Sequence, residues 1–313
     1  MAPPEGFTHG RPGPTGPHAK AHRGRPGGLS RRSLLGGLAA LGALGVTGCS
    51  RIAAAGTVEG GDLLDRLRDR GSAKIGIASE PPFGYIDDDG EPTGEAPELA
   101  KVIFQRLGVD HVTPVPVDFS ALLPGLQAQQ FDVVSAGMYI NATRCEQVLF
   151  ADPEYIMLDS FIVPAGNPHG LTGYEDIAEQ GLTLATGEAY AEIDYAKAAG
   201  VKNILILPDQ VAGLDAVSQG RADAFAGTNI TVNGVVEGNP RVEAIEPFQP
   251  MVDGEPAYGA GGFAFRKSEK NFRDAFNAEL HKLKESGELL EIMAPFGFTE
   301  AEMTDFTAEE LCR

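Results

Sequence analysis

The chain has 313 residues and carries 44 acidic against 25 basic side chains, a formal charge of −19. That excess argues against nucleic-acid binding, which wants a basic face, and against a surface held to anionic lipid by charge. The length is ample for a core and lies near the size at which chains split into two domains.

Residues 1–30 are rich in Pro, Gly, His and Arg, the composition of a disordered segment. Ser30-Arg31-Arg32-Ser33-Leu34-Leu35 then opens an apolar run that reaches Val46. Paired arginines, a short greasy stretch and a small-residue site make an export signal. The run at 34–46 is too short and too rich in Gly and Ala to span a membrane. Val46-Thr47-Gly48-Cys49 resembles a bacterial lipoprotein box, which implies Cys49 as the lipidated first residue of the mature chain. Residues 1–48 are therefore expected to be a twin-arginine lipoprotein signal. The protein is expected to be exported and lipid-anchored on the outer face of the cytoplasmic membrane. The signal holds six basic residues and one acid, so its loss leaves 265 residues carrying −24. So acidic a body meets the membrane only through its lipid and fits an extracellular setting.

Residues 50–70 read as a short linker, with 49–56 as linker proper and the first lobe counted from 57. Lys74-Ile75-Gly76-Ile77-Ala78 reads as a buried strand, cut off by Glu80-Pro81-Pro82-Phe83. Asp87-Asp88-Asp89-Gly90 is a hairpin turn signal. From 98 to 107, Leu99, Val102, Ile103 and Leu107 recur on one helical face, closed by Gly108. A strand is expected at 112–117 and a helix at 119–129, with Leu122, Leu123 and Leu126 inward. Another strand at 131–136 ends at Gly137. This rhythm predicts a parallel sheet with helices on its faces, and ligands then sit outside the carboxyl ends of the strands. Three segments fall at such ends: 80–83, Asp118-Phe119, and 137–144.

After Phe161-Ile162-Val163-Pro164 the alternation starts again. Strands are expected at 182–185, 204–207 and 222–226, with helices at 189–199 and 211–219 between them. Phe263-Ala264-Phe265 is a short strand. Phe272, Phe276, Leu280 and Leu283 then line one helical face, and a last amphipathic piece covers 289–293. Besides Cys49 the cysteines are Cys145 and Cys312. An even pair in an oxidising compartment reads first as a disulfide that would staple the tail to the body, with two separate buried thiols as the alternative.

No nucleophile elbow, phosphate loop or paired-His zinc motif is present. Three of the six His lie in the leader, and His111, His169 and His281 sit in ordinary loop or helix-surface positions. Binding without turnover is the leading class, with no metal or cofactor.

Several motifs now carry a likeness. They are Pro82-Phe83, Asp118-Phe119-Ser120, Leu123-Pro124-Gly125-Leu126-Gln127, Phe131-Asp132-Val133, Gly137, Arg144, and Gly220-Arg221-Ala222-Asp223-Ala224. In order and spacing the chain from about 70 to 298 resembles the solute-binding proteins of ABC importers, in their polar amino-acid branch. Within it, Glu80-Pro81-Pro82-Phe83, Arg144-Cys145 and the stretch from Lys282 to Phe298 are most similar to the ectoine- and hydroxyectoine-binding members. The likeness implies an α/β type II periplasmic-binding-protein fold, two lobes joined by a two-strand hinge. Lobe one is expected to take 57–155 and 259–313 and lobe two 156–258, with crossings near Tyr155 and Tyr258. It also implies docking on ABC permease subunits, a monomer, and a small zwitterionic solute.

The resemblance places Arg144 in the cleft, where its fork of donors matches a ligand carboxylate. Tyr139 stands where amino-acid binders of this branch commonly carry Thr or Ser. With Phe83 and Phe119 it would make a three-ring box for a delocalised cation. Gly137 lies at the same strand end. Glu80 would pair with the protonated nitrogens of a cyclic amidine. Amino-acid binders commonly place an Asp after the Arg-Ala-Asp-Ala strand for the α-ammonium, but this chain has Thr228 there, and a free ammonium would be poorly matched. Asn229 is expected to add a polar contact. In Gly187-Glu188-Ala189-Tyr190-Ala191-Glu192 the branch's usual hydroxyl is lost, leaving backbone N–H groups at the helix start for an anion and Glu188 or Glu192 near the cleft mouth. Two rival readings remain. One is a polar or basic amino-acid binder on the same fold; the other is a dehydratase-like enzyme, which needs a poised acid–base pair not evident in the sequence.

Overall fold

The computed structural model describes residues 63–313. The expected export leader, Cys49 and the expected linker at 49–56 lie outside the described residues. Two five-stranded sheets share one plan. The first runs His111–Pro116, Ser72–Ile77, Val133–Val134, Ala264–Arg266, Val148–Phe150. Pro114 and Pro116 cannot donate to a ladder, and their strand is accordingly at the edge. The second sheet runs Asn203–Leu207, Thr183–Gly187, Ala224–Thr228, Asp159–Pro164, Val242–Ala244.

Three neighbouring strands of each sheet are parallel, as the alternation predicts. The fourth strand in each order is antiparallel to both neighbours, so both sheets are mixed. These odd strands, Asp159–Pro164 and Ala264–Arg266, flank the two passages between the sheets. The passages pair as Tyr155–Met157 against Gly259–Gly261. Glycine is required there, because a Cβ at Gly261 would lie 2.2 Å from the Tyr155 ring and one at Gly259 2.6 Å from the Tyr139 ring.

The helix Glu95–Arg106 begins three residues before the apolar periodicity does, because Gly94 turns the chain at φ +113 and Glu95, Ala96 and Pro97 form its buried first turn. The hairpin turn is present: Tyr85–Ile86 pairs with Pro92–Thr93, and the Asp87 carboxylate accepts from the N–H groups of Asp89 and Glu91. Lys270–Ser286 buries Phe272, Phe276, Leu280 and Leu283, with Phe104 packed against the first two. Leu63–Arg70 is a helix that buries Leu63, Leu64 and Leu67, which corrects the reading of 50–70 as linker. Among the elements without a sequence counterpart are the helices Tyr174–Gln180 and Asn229–Val236 and the strand Val242–Ala244. Cys145 and Cys312 are bridged, with Cα atoms 5.6 Å apart. Among the described residues no helix is long and apolar enough to cross a membrane.

Candidate functional site

Between the strand ends of the two sheets lies a cavity of about 40 Å³. The first lobe lines it with Glu80, Phe83, Phe119, Gly137, Tyr139 and Arg144; the second adds Tyr190, Glu192, Gln210, Thr228 and Thr231. All three strand-end segments named from the sequence therefore meet at one place.

Glu80 and Phe83 come from a tight loop after Ser72–Ile77. Glu80 and Gly84 exchange backbone bonds of 3.0 and 3.2 Å, which turns the carboxyl back into the protein. Phe83 is stacked on Tyr155 at 5.7 Å. Gly137 sits at φ +59, and a Cβ there would be 2.6 Å from the Phe83 ring and from the Tyr155 hydroxyl, so this glycine lets the backbone approach the ring. The Tyr155 hydroxyl donates to the Gly137 carbonyl at 3.2 Å.

Arg144 belongs to the one-turn helix Ala142–Cys145, capped by Asn141, whose side chain accepts from the Arg144 N–H at 2.9 Å. Its guanidinium is buried. Nη1 donates to the Tyr139 carbonyl at 2.6 Å and Nη2 to the Ala189 carbonyl at 2.8 Å. The Phe119 ring lies 5.4 Å from the guanidinium carbon, within cation–π range. Phe119 in turn meets Tyr190 of the other lobe edge-on at 5.3 Å, and the Tyr190 hydroxyl donates to Gln210 Oε1 at 3.2 Å.

The charges are unbalanced. Burial pushes the Glu80 carboxyl up to about 8, helped by Glu192 and Asp209 and opposed by Arg144. Burial also raises Glu192 to about 7, against its own backbone N–H and Arg144. Desolvation lowers Arg144, while Glu192 and Tyr195 hold its charge in place. Tyr139 is raised by burial. Glu80 Oε1 and the Tyr139 hydroxyl have no hydrogen-bond partner within the protein. Two buried carboxyls thus share one guanidinium, an arrangement that suits an added cation with donors.

Thr228 lines the cavity, but its hydroxyl is engaged in capping Asn229–Val236 and donates to Thr231 Oγ1 at 2.8 Å. Asn229 is not in the cavity wall; its N–H donates to the Leu158 carbonyl. The helix expected from 189 starts at Glu192, so its first N–H groups are not those of Ala189 and Tyr190. Ala189 is instead held at φ +63, and its carbonyl is turned to Arg144. Glu188 is exposed, 3.5 Å from the Ser120 hydroxyl, while Glu192 is buried in the wall. With Glu80 it makes the pair of perturbed carboxyls that the sequence did not disclose. Tyr190, Gln210 and Thr231 also went unassigned. The one available signal was Gly187, which has no Cβ because the Tyr190 ring folds to within 2.5 Å of that position.

Two α/β lobes around a buried, charge-bearing chamber define a type II solute-binding protein. The chain belongs to the bacterial extracellular solute-binding proteins, family 3, whose pattern matches residues 73–299. A similar curated relative is the probable amino-acid ABC transporter periplasmic-binding protein y4tE of Sinorhizobium fredii, 32% identical over 80% of this chain and 85% of that protein. Among solved structures, EhuB in complex with hydroxyectoine is similar, at 36% identity and TM-score 0.73, covering 80% of this chain and 98% of that one. An ancestral arginine-binding protein bound to arginine is 29% identical, TM-score 0.63, over 73% of this chain and 99% of its own. The protein is thus an extracytoplasmic component of an ABC uptake system. It works with membrane permease subunits on a small polar or basic amino acid or a related zwitterion.

Proposed function

We propose that the solute is a compact zwitterion whose positive charge is spread over a planar group. Its carboxylate turns to Arg144, its cation to Glu80 and Glu192, and the rings of Phe83, Phe119 and Tyr139, joined by Tyr190, enclose it. The observation that carries this reading is the pair of buried carboxyls facing a single arginine in one chamber. A cyclic amidine of the ectoine type meets the description; an amino acid with a guanidinium side chain meets it in part, because it adds a localised α-ammonium.

The names of the relatives support the amino-acid reading better as a class, since y4tE is described as an amino-acid binder and the ancestral protein holds arginine. Thr228 in place of the branch's Asp favours the cyclic amidine. Isothermal titration against ectoine, hydroxyectoine, glycine betaine, proline, arginine and glutamine separates the two. Ectoine or hydroxyectoine is expected to bind most tightly. Tight arginine binding with none for ectoine selects the amino acid. If proline or betaine binds as tightly as either planar cation, the reading fails.

The paired strands Tyr155–Met157 and Gly259–Gly261 would act as the hinge of a monomer that closes on the solute. Cys49 would carry the lipid anchor. Detergent-phase partitioning tests the anchor: Cys49→Ala is expected to move the protein to the aqueous phase.

A further inference from the structure

Behind the cavity, the C-terminal segment 296–312 touches the Phe83 wall, the second-lobe helix Asn229–Val236 and the residue next to Arg144. Phe298 is buried, 4.9 Å from the Tyr155 ring and 6.2 Å from Phe83 in the cavity wall. Next to it, a Cβ at Gly297 would lie 3.1 Å from Ile230, in the second-lobe helix that Thr228 caps. Phe306 packs on Tyr258 at 4.8 Å, beside the returning passage. The Ala308 N–H donates to Asp152 Oδ1 at 2.8 Å. Asp152 precedes the outgoing passage by three residues, and Asn277 and His281 hold its other oxygen. Finally Cys312 is bonded to Cys145, the residue after Arg144.

That last link bears on a helix of only four residues. One turn has no cooperative stability of its own. Its N-terminal end is held by the Asn141 cap, and its C-terminal end by the disulfide and by Lys267, which donates to the Cys145 carbonyl at 2.5 Å.

We infer that the segment 296–312 is a positioning brace for the binding site. The disulfide fixes the helix that aims Arg144, and Phe298 fixes the Phe83 wall through Tyr155. Contact with both passages makes closure of the lobes sensitive to the same segment. The inference rests on the reading that this cavity takes the solute.

The test compares the unaltered protein with Cys145→Ser/Cys312→Ser, Phe298→Leu and, as a control, Phe272→Leu in the core packed around Phe104 and Phe265. Hydrogen exchange without solute is the first readout. The amides of Arg144 and Cys145 are expected to lose protection at least tenfold in the double serine variant, while those of Thr183–Gly187 keep theirs. Unchanged protection at 144 and 145 overturns the brace. Titration with hydroxyectoine and with arginine is the second. Affinity for whichever probe binds is expected to fall about tenfold in the double serine and Phe298→Leu variants, and less than twofold in Phe272→Leu. Equal affinity in the double serine variant, or an equal loss in the control, overturns the inference. If neither probe binds the unaltered protein, the solute reading fails, and amide protection still decides the brace.

Discussion

Arg144 of the first lobe donates through Nη2 to the carbonyl of Ala189 in the second, at 2.8 Å. One guanidinium therefore both lines the cavity and ties its two walls together. Ala189 turns its carbonyl inward by adopting φ +63, a conformation that few non-glycine residues take. Closure and ligand recognition thus share a donor.

Arg144→Lys tests that sharing. Lysine keeps the charge but loses the planar fork. Truncating one partner of a buried charged hydrogen bond costs about 2–5 kcal/mol, so affinity is expected to fall at least thirtyfold. Small-angle scattering is expected to show a larger radius of gyration for the variant with solute present. An affinity within threefold of the unaltered protein removes Arg144 from the binding role.

The raised carboxyls make binding and stability respond to pH in opposite directions. Below the ordinary carboxylate range, Glu80 is protonated in both folded and unfolded chains, so it contributes no pH dependence. Above about 4.5 the unfolded form ionises first, while the folded form holds its proton up to about 8. Stability of the solute-free protein is thus expected to fall as pH rises from about 4.5 to about 8. Glu154, also raised to about 8 by burial, acts the same way. Glu80→Gln isolates the cavity: its melting temperature is expected to rise at pH 8 and its solute affinity to fall. In the unaltered protein a cationic solute displaces protons at pH 7, so titration heats are expected to vary with the ionisation enthalpy of the buffer. Heats that are the same in phosphate and Tris contradict this.

Gly137→Ala is expected to damage the site from behind. The new Cβ meets the Phe83 ring and the Tyr155 hydroxyl at 2.6 Å, on a backbone already at positive φ. The combined strain is expected to exceed about 1 kcal/mol and to move Phe83. A lower melting temperature together with weaker binding is the outcome to look for. A lower melting temperature alone would mean that Phe83 does not set the cavity wall.

Much of this arrangement was legible in the residues. The strand–helix alternation and the Phe272, Phe276, Leu280, Leu283 face reflect periodicities that burial imposes, and the strand-end rule then brought Glu80, Phe119, Gly137 and Arg144 together. Other features leave no local trace. Asp159–Pro164 is buried along nearly its whole length, and such a run reads alike in either strand direction, so its antiparallel placement was hidden. Asn229–Val236 is rich in β-branched residues and contains Gly234, a poor helix by propensity that depends on its Thr228 cap and its packing. Tyr190, Gln210 and Glu192 reach the cavity only because the second lobe closes on it.

Tyr190 separates sealing from hydrogen bonding. Tyr190→Phe loses one bond to Gln210, worth about 0.5–1.5 kcal/mol, and is expected to weaken binding less than about tenfold. Tyr190→Ala removes the edge-on partner of Phe119 across the lobes and opens the chamber to water. Its dissociation rate, measured by stopped flow, is expected to rise well beyond that of Tyr190→Phe. Equal rates in the two variants would assign Tyr190 to the hydrogen bond alone.

Thr228→Asp asks whether one side chain selects the solute class. Aspartate is as good a helix cap as threonine, so Asn229–Val236 is expected to persist. The new carboxyl would lie on the residue paired with Asp159, itself fully buried with its proton affinity raised by burial and by Glu192. Two like charges in that position repel, and the solute-free variant is expected to lose stability as pH rises. A free α-ammonium relieves the repulsion, whereas a ring with its cation spread over an amidine does so less well. Arginine is therefore expected to gain affinity over the unaltered protein and to raise the melting temperature of the variant, while hydroxyectoine loses affinity. If the two solutes shift together, the residue at 228 does not discriminate between them, and the contrast between the two classes must arise at Glu80 and Glu192.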